Sequence, residues 1–95
     1  MFVIFGKYTA PIEAVDAHRE AHLQFITGLV TDGAIVVVGR RAGADGSVVV
    51  LSAENGDAAL ALFDDDPYIS AGVVEYELVA EFTAGAKAPG LDAYS

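Results

Sequence analysis

Two histidines four residues apart, His18 and His22, lie in the segment DAHREAHLQF at residues 16–25 and are the only histidines of the chain. Such a pair could do two kinds of chemistry. Both imidazoles could bind one metal ion, because histidines one helical turn apart can share it. Alternatively, one imidazole could act as a general acid or base, since histidine titrates near neutral pH. In a third interpretation the buried histidine has no chemical role and is a core or rim residue with a hydrogen-bond partner.

The order of residues around the histidines argues against the metal. HREAH is neither the H-E-x-x-H nor the H-x-x-E-H arrangement of helical zinc sites. The chain has no cysteine, so a third ligand would have to be a distant carboxylate. The sequence therefore predicts no metal site.

An acid-base histidine needs an orienting partner, and the segment DDDPY at residues 64–68 offers three carboxylates. They follow a predicted helix, whose C-terminal end favours cations. One interpretation is a solvated acidic turn. The other is that one carboxylate turns inward, and Asp66 is favoured because Pro67 restricts its backbone. A carboxylate on one imidazole nitrogen fixes the tautomer and makes the other nitrogen more basic.

Hydrophobic periodicity predicts the element order β-α-β-β-α-β. Pro11 suits the first turn of the first helix, and Asp32-Gly33 suits its end. With right-handed crossovers, this order favours an α+β fold, a ferredoxin-like sandwich with two helices on one face of a four-stranded antiparallel sheet. The predicted strands are 2–8, 34–40, 47–53 and 72–83, and the predicted helices are about 11–31 and 55–64.

The last predicted strand alternates between apolar and acidic residues. Strict alternation places all the apolar residues on one face and Glu75, Glu77 and Glu81 on the other. The apolar set is Val74, Tyr76, Leu78, Ala80 and Phe82.

Helical geometry sets the direction of the histidines, because a helix turns about 100° per residue. Relative to His22, the apolar side chains of Val15 and Ile26 point the same way, and Glu20 points the opposite way. His22 is therefore predicted at the centre of the apolar stripe, with His18 one turn earlier on the same side.

The composition predicts one domain, residues 1–84, followed by a polar tail at 85–95. Of the 95 residues 54% are hydrophobic and only 20% are charged, which is more apolar surface than one small core needs. The first strand is apolar on both sides, since Phe2 and Ile4 alternate with Val3 and Phe5. The second face of the sheet is therefore predicted to pack on another copy, forming a homodimer.

Charge excludes several kinds of partner. Fourteen acids against five bases give a net charge of −9, which repels nucleic acid and anionic membrane surfaces. No apolar run has the length of a membrane span. The N-terminal MFVIFGKY lacks the features of a signal peptide, and the absence of cysteine fits a reducing compartment. The sequence predicts a cytoplasmic protein without nucleic-acid or membrane partners.

Three motifs in order resemble the YciI-like (YCII-related) proteins. They are R-x-x-H-L at 19–23, two glycines six residues apart at 33 and 39, and D-P-Y-x-x-A-G at 66–72. The resemblance extends to about Phe82. It implies a ferredoxin-like fold that dimerises through the sheet as a dimeric α+β barrel.

The resemblance also implies an active site built around a histidine and an aspartate, here His22 and Asp66. Arg19, in the first motif, would bind an anionic group or support the site, and Tyr68 would contribute a hydroxyl. His18 lies outside the motif and is a further candidate for substrate contact. One departure is Arg40, where similar proteins often have proline after Gly39. This extra arginine either favours an acidic substrate at the mouth of a pocket or is simply exposed.

The function implied is acid-base chemistry without a cofactor. One family member is a dehydrochlorinase of a chlorinated hydroxyquinol, and related barrels include muconolactone isomerases and small monooxygenases. The first hypothesis is thus a lyase- or isomerase-type enzyme for a small cyclic or aromatic compound. The alternative is a non-catalytic dimer that binds a small molecule or assists a larger enzyme, with a structural His–Asp pair. A third hypothesis, a haem-degrading or oxygen-using monooxygenase, would need His18 or His22 as an axial ligand.

Overall fold

The computed structural model describes residues 1–94, which form a single four-stranded antiparallel sheet with helices packed against it. The order of strands in the sheet is β2-β3-β1-β4, and the register pairs β1 with both β3 and β4. This arrangement confirms the predicted ferredoxin-like α+β fold. The strands are β1 (Phe2–Tyr8), β2 (Ile35–Arg40), β3 (Gly46–Leu51) and β4 (Val74–Glu81), and the helices are α1 (Ile12–Asp16), α2 (Arg19–Thr31), α3 (Gly56–Ala61) and α4 (Pro67–Ser70).

The first helical segment is broken, and the prediction of one continuous helix over 11–31 is wrong. A turn at Ala17 and His18 separates α1 from α2, with His18 at φ −110° and ψ 5°. The two parts pack in different places. Val15 of α1 packs in a cluster beside Tyr68, whereas Ile26 of α2 packs in the main core. As a consequence His18 is exposed and does not share the buried side of His22.

The second helical segment is also divided, because two side chains cap separate helices. The Asn55 side chain accepts a hydrogen bond of 2.8 Å from the backbone N–H of Ala58 and starts α3. Turns occupy residues 62–65, where the sequence predicted helix to continue to 64. Asp66 then caps the short helix α4, with Pro67 at its first position.

A register shift in β4 corrects the predicted alternation of that strand. Ile4 pairs with Leu78, but the neighbouring Val3 pairs with Ala80, so Val79 is an extra residue between them. Because side chains alternate with a period of two, one extra residue reverses the faces that follow it. Ala80 is therefore exposed on the far face and does not join Tyr76 and Leu78.

The main core lies between the sheet and the helices, and the opposite face of the sheet is also apolar. Phe5 pairs with Val48, and Val50 lies between Val3 and Val37. These side chains are only partly buried, and Val37 is 59% exposed. The predicted packing of this face against a second copy stays a prediction, as does the boundary between domain and tail at residue 84.

Substitution of Val37 by aspartate is expected to shift a homodimer toward monomer, because a charge would be buried within the predicted apolar interface. Sedimentation equilibrium would measure the change in the dissociation constant. Val30→Asp is the matched control, since Val30 is an exposed valine on α2. If both variants form dimers with the same dissociation constant as the unmodified protein, this face is not the interface.

No helix within residues 1–94 combines the length and the apolar character needed to cross a bilayer.

Candidate active site

Asp66 is the centre of a buried hydrogen-bond network. Its carboxylate is completely buried, whereas the neighbouring Asp64 and Asp65 are exposed. Oδ1 accepts hydrogen bonds from His22 Nδ1 at 2.8 Å and from the backbone N–H of Tyr68 at 2.9 Å. Oδ2 accepts from the hydroxyl of Tyr76 at 2.5 Å. Of the three consecutive acids, only the one before proline turns inward.

The network keeps Asp66 ionised. Burial by itself raises the pKa of the carboxyl, but the hydrogen bonds from His22, Tyr76 and the Tyr68 backbone outweigh it, so the pKa lies below its usual value. The pKa of Tyr76 is raised, first by burial and then by Asp66, so its hydroxyl keeps the proton that it donates. An ionised Asp66 has no proton to donate, and Nδ1 of His22 must therefore carry the hydrogen of their bond.

In the neutral imidazole, this arrangement leaves the lone pair on His22 Nε2. His22 is 8% exposed, and no hydrogen-bond partner for Nε2 lies among residues 1–94. In the same residues, no fully buried side-chain nitrogen or oxygen lacks a partner. Nε2 therefore reaches a solvent-accessible space and is not sealed in the packed interior. The imidazole is held in place by stacking on the Tyr68 ring, with centroids 3.7 Å apart and planes 5° from parallel.

A cavity of about 190 Å³ opens between α2 and the inner face of the sheet. Its walls combine apolar side chains with hydroxyls, the imidazole and two guanidinium groups. The lining residues are Tyr8, Arg19, His22, Leu23, Ile26, Val38, Gly39, Arg40, Ser47 and Tyr68. A larger depression of about 640 Å³ lies on the outer side of α1 and α2. We place the site in the smaller cavity, because only that one contains His22 and Tyr68.

Arg40 is fixed at one side of the cavity. Its Nε donates to the hydroxyl of Tyr8 at 3.0 Å, and its Nη2 donates to Asp16 Oδ1 at 2.6 Å. The hydrogen bond to Asp16 raises the pKa of Arg40 above its ordinary value. The guanidinium is thus a permanent, positioned charge, so the second of the two interpretations, simple exposure, does not hold.

The family model of the YCII-related domain matches residues 1–83. The protein belongs to the YCII-related family. A search of curated proteins gave no match. The fold is similar to that of 5-chloro-2-hydroxyhydroquinone dehydrochlorinase (TftG) from Burkholderia phenoliruptrix, which was solved in complex with 2,5-dihydroxybenzoquinone. The two share 22% identity over 90% of this chain and 96% of that chain, with a TM-score of 0.67, and this similarity shows a shared fold.

The structure of this YCII-related protein brings together four of the five residues predicted for the site. His22, Asp66 and Tyr68 contact one another, and Arg19 lines the same cavity. His18 does not line it, and its predicted contact with substrate stays a prediction. No cluster of three or more His, Cys, Asp or Glu side chains suited to a metal occurs in the described chain.

Sequence reasoning missed three polar residues of the site, Tyr8, Ser47 and Tyr76. For Ser47 and Tyr76 a signal was Gly6, a glycine inside a largely apolar strand. A β-carbon at Gly6 would lie 2.6 Å from Ser47 Oγ and 2.8 Å from Tyr76 Cε1. The absence of a side chain at Gly6 therefore lets Tyr76 approach Asp66 across the inner face of the sheet.

The lowered pKa of Asp66 predicts a pH dependence of stability. The unfolded carboxyl, with a pKa of about 3.9, binds a proton before the folded one as pH falls. The stabilisation by Asp66 is therefore complete above about pH 5 and is lost as pH falls through 3.9 toward the lower folded value. Urea unfolding at several pH values should show the stability gap between the native protein and Asp66→Asn narrowing below pH about 4. A gap that stays constant down to low pH would contradict the ionised state of the buried carboxyl.

Proposed function

We propose that this protein is a cofactor-independent enzyme of lyase or isomerase type, acting on a small cyclic or aromatic compound. His22 Nε2 is the general base and acid, and Asp66 orients the imidazole and stabilises its charged form. Arg19, Tyr68 and His18 help to place the substrate. The protein would work as a homodimer in the cytoplasm. The observation that carries the proposal is the buried carboxylate on Nδ1, which leaves Nε2 accessible at a cavity.

The substrate named for the structural neighbour supports a specific reaction class, loss of HCl from a chlorinated hydroxyquinol. Moving a proton from a ring hydroxyl to the carbon that carries chlorine gives a keto tautomer. Removal of a second hydroxyl proton then expels chloride and leaves a hydroxybenzoquinone. The sum is loss of HCl, which needs no external oxidant. One histidine that alternates between base and acid can carry both proton movements.

The test is chloride release from 5-chloro-2-hydroxyhydroquinone by the purified protein, followed by ion chromatography. Turnover above the uncatalysed rate, and its inhibition by 2,5-dihydroxybenzoquinone, would support dehydrochlorination. If no chloride is released, exchange of ring hydrogens of trihydroxybenzene in D₂O tests proton transfer without the leaving group. Absence of both activities would reject the enzymatic proposal.

A second candidate function is favoured by the structural role of Asp66. The same carboxylate caps α4 and ties α2 to β4, so the His–Asp pair could serve stability alone in a dimer that only binds a small molecule. In that case replacement of His22 lowers the free energy of unfolding by about 1–3 kcal/mol without any change in chemistry. Ligand binding without turnover, measured by calorimetry, would favour this candidate.

A further inference from the structure

The cavity differs in charge from the rest of the molecule. The chain carries a net charge of −9, yet within residues 1–94 no aspartate or glutamate lines the cavity beside His22. Two of the three arginines, Arg19 and Arg40, are among its lining residues. A cavity that excludes acids in so acidic a protein indicates selection for an anionic ligand.

The contacts of Arg40 prepare the hydroxyl of Tyr8 as a donor. The Arg40 guanidinium lies 5.4 Å from the centroid of the Tyr8 ring, and its Nε donates to the Tyr8 oxygen at 3.0 Å. That oxygen is therefore an acceptor in this contact, and no acceptor for its own proton lies among the residues the structure describes. A hydroxyl that accepts from a cation donates more strongly, because linked hydrogen bonds polarise one another.

We infer that the cavity binds a single-ring ligand through an ionised oxygen on the ring, and that Tyr8 and Arg40 hold this oxyanion while the ring contacts Tyr68. The inference rests on the site of the proposed function but not on catalysis there. Size agrees with one ring, since a cavity of about 150 Å³ can hold benzene and this one measures about 190 Å³. Arg40 contacts the oxyanion in this arrangement and thereby selects the ligand's charge.

Nearby carboxylates compensate only part of the positive charge of the cavity. Asp66 lies behind His22 and already accepts three hydrogen bonds. Asp16 binds only Nη2 of Arg40, at the more exposed end of the pair. Arg19 has no acidic partner within residues 1–94. Burial and Tyr8 together raise the pKa of Tyr68, and Arg40 and Arg19 lower it in part.

Matched ligand pairs test the inference without requiring turnover. Benzoate and benzamide have nearly the same shape and differ by one charge. Above neutral pH, 4-nitrophenolate and 4-nitroaniline also have nearly the same shape and differ by one charge, since an amino group replaces the ionised oxygen. Calorimetry on the full chain should show that at least one anion binds about tenfold more tightly than its neutral partner, as a charge-assisted hydrogen bond would give. A preference for 4-nitrophenolate supports an oxyanion on the ring itself, whereas a preference confined to benzoate would overturn that part of the inference.

Arg40→Gln should remove most of this preference, and Tyr8→Phe should weaken it. Arg41→Gln is the matched control, because Arg41 carries the same charge at the next position but contacts Phe5 and Asp45 and does not line the cavity. Arg40→Lys keeps the charge without the Nε contact and should give an intermediate preference. Thermal melts of each variant verify folding.

Equal binding of charged and neutral partners to the native protein would overturn the inference, as would equal effects of Arg40→Gln and Arg41→Gln. Failure of the inference can be distinguished from failure of the proposed function. Charge selection without chloride release or ring-hydrogen exchange would reject catalysis alone, and either activity without charge selection would reject the role of Tyr8 and Arg40 alone.

Discussion

Replacement of His22 by asparagine is expected to lower kcat for chloride release by about 10²–10⁴-fold, the usual contribution of a general base. The asparagine amide can donate to Asp66 Oδ1 from nearly the position of Nδ1, which donates at 2.8 Å in the native protein. It has no atom at the position of Nε2. The variant therefore keeps the structural hydrogen bond and loses the base, and initial rates over a range of substrate concentrations would measure the loss.

His18→Asn is the matched variant, and its kcat and KM distinguish the role of His18 from that of His22. His18 is exposed and outside the cavity. If it contacts substrate as predicted, His18→Asn should raise KM with little change in kcat. A loss of kcat in His18→Asn as large as that in His22→Asn would contradict the assignment of the base.

Replacement of Asp66 by asparagine is expected to lower the free energy of unfolding by about 2–3 kcal/mol, because charged hydrogen bonds to buried partners are lost. A neutral amide cannot accept from His22, Tyr76 and the Tyr68 backbone together as the carboxylate does. It also no longer fixes the tautomer of the imidazole, so kcat should fall by on the order of 10²–10⁴. Urea unfolding and initial rates would measure the two effects.

Asp65→Asn provides the control for this variant, since Asp65 is the neighbouring acid and is exposed. Surface changes of this kind usually alter stability by less than about 0.5 kcal/mol. A similar loss of stability in both variants would show that the total charge of the acidic segment matters, and that the buried network does not.

The sequence predicted the parts of the site that depend on local periodicity. Helical phase placed His22 on the buried side, and the structure confirms that orientation. The order of elements predicted the sheet, because few chain topologies satisfy β-α-β-β-α-β with right-handed crossovers. Pro67 singled out Asp66 among three acids for a physical reason, since a residue before proline has few backbone conformations.

Features that depend on tertiary contacts were not predicted. The break at His18 contains neither proline nor glycine, and it arises because α1 and α2 pack in different clusters. The extra residue at Val79 arises from the pairing of β4 with β1. The residue pattern of β4 alone does not indicate it. Tyr76 faces Asp66 only because the whole sheet brings β4 beside α4. The alternation of the strand predicted which face of the sheet Tyr76 lies on, but it did not predict Asp66 as the hydrogen-bond partner.

The Asp66 carboxylate joins segments that are far apart along the chain. Its contact with His22 spans 44 residues, and its contact with Tyr76 spans 10. Closing loops of this length costs entropy that is recovered only when the surrounding sheet is in place. The network should therefore assemble at the end of folding, and a partly folded chain would lack an oriented base. In a refolding experiment, enzymatic activity should return no earlier than the slowest spectroscopic phase.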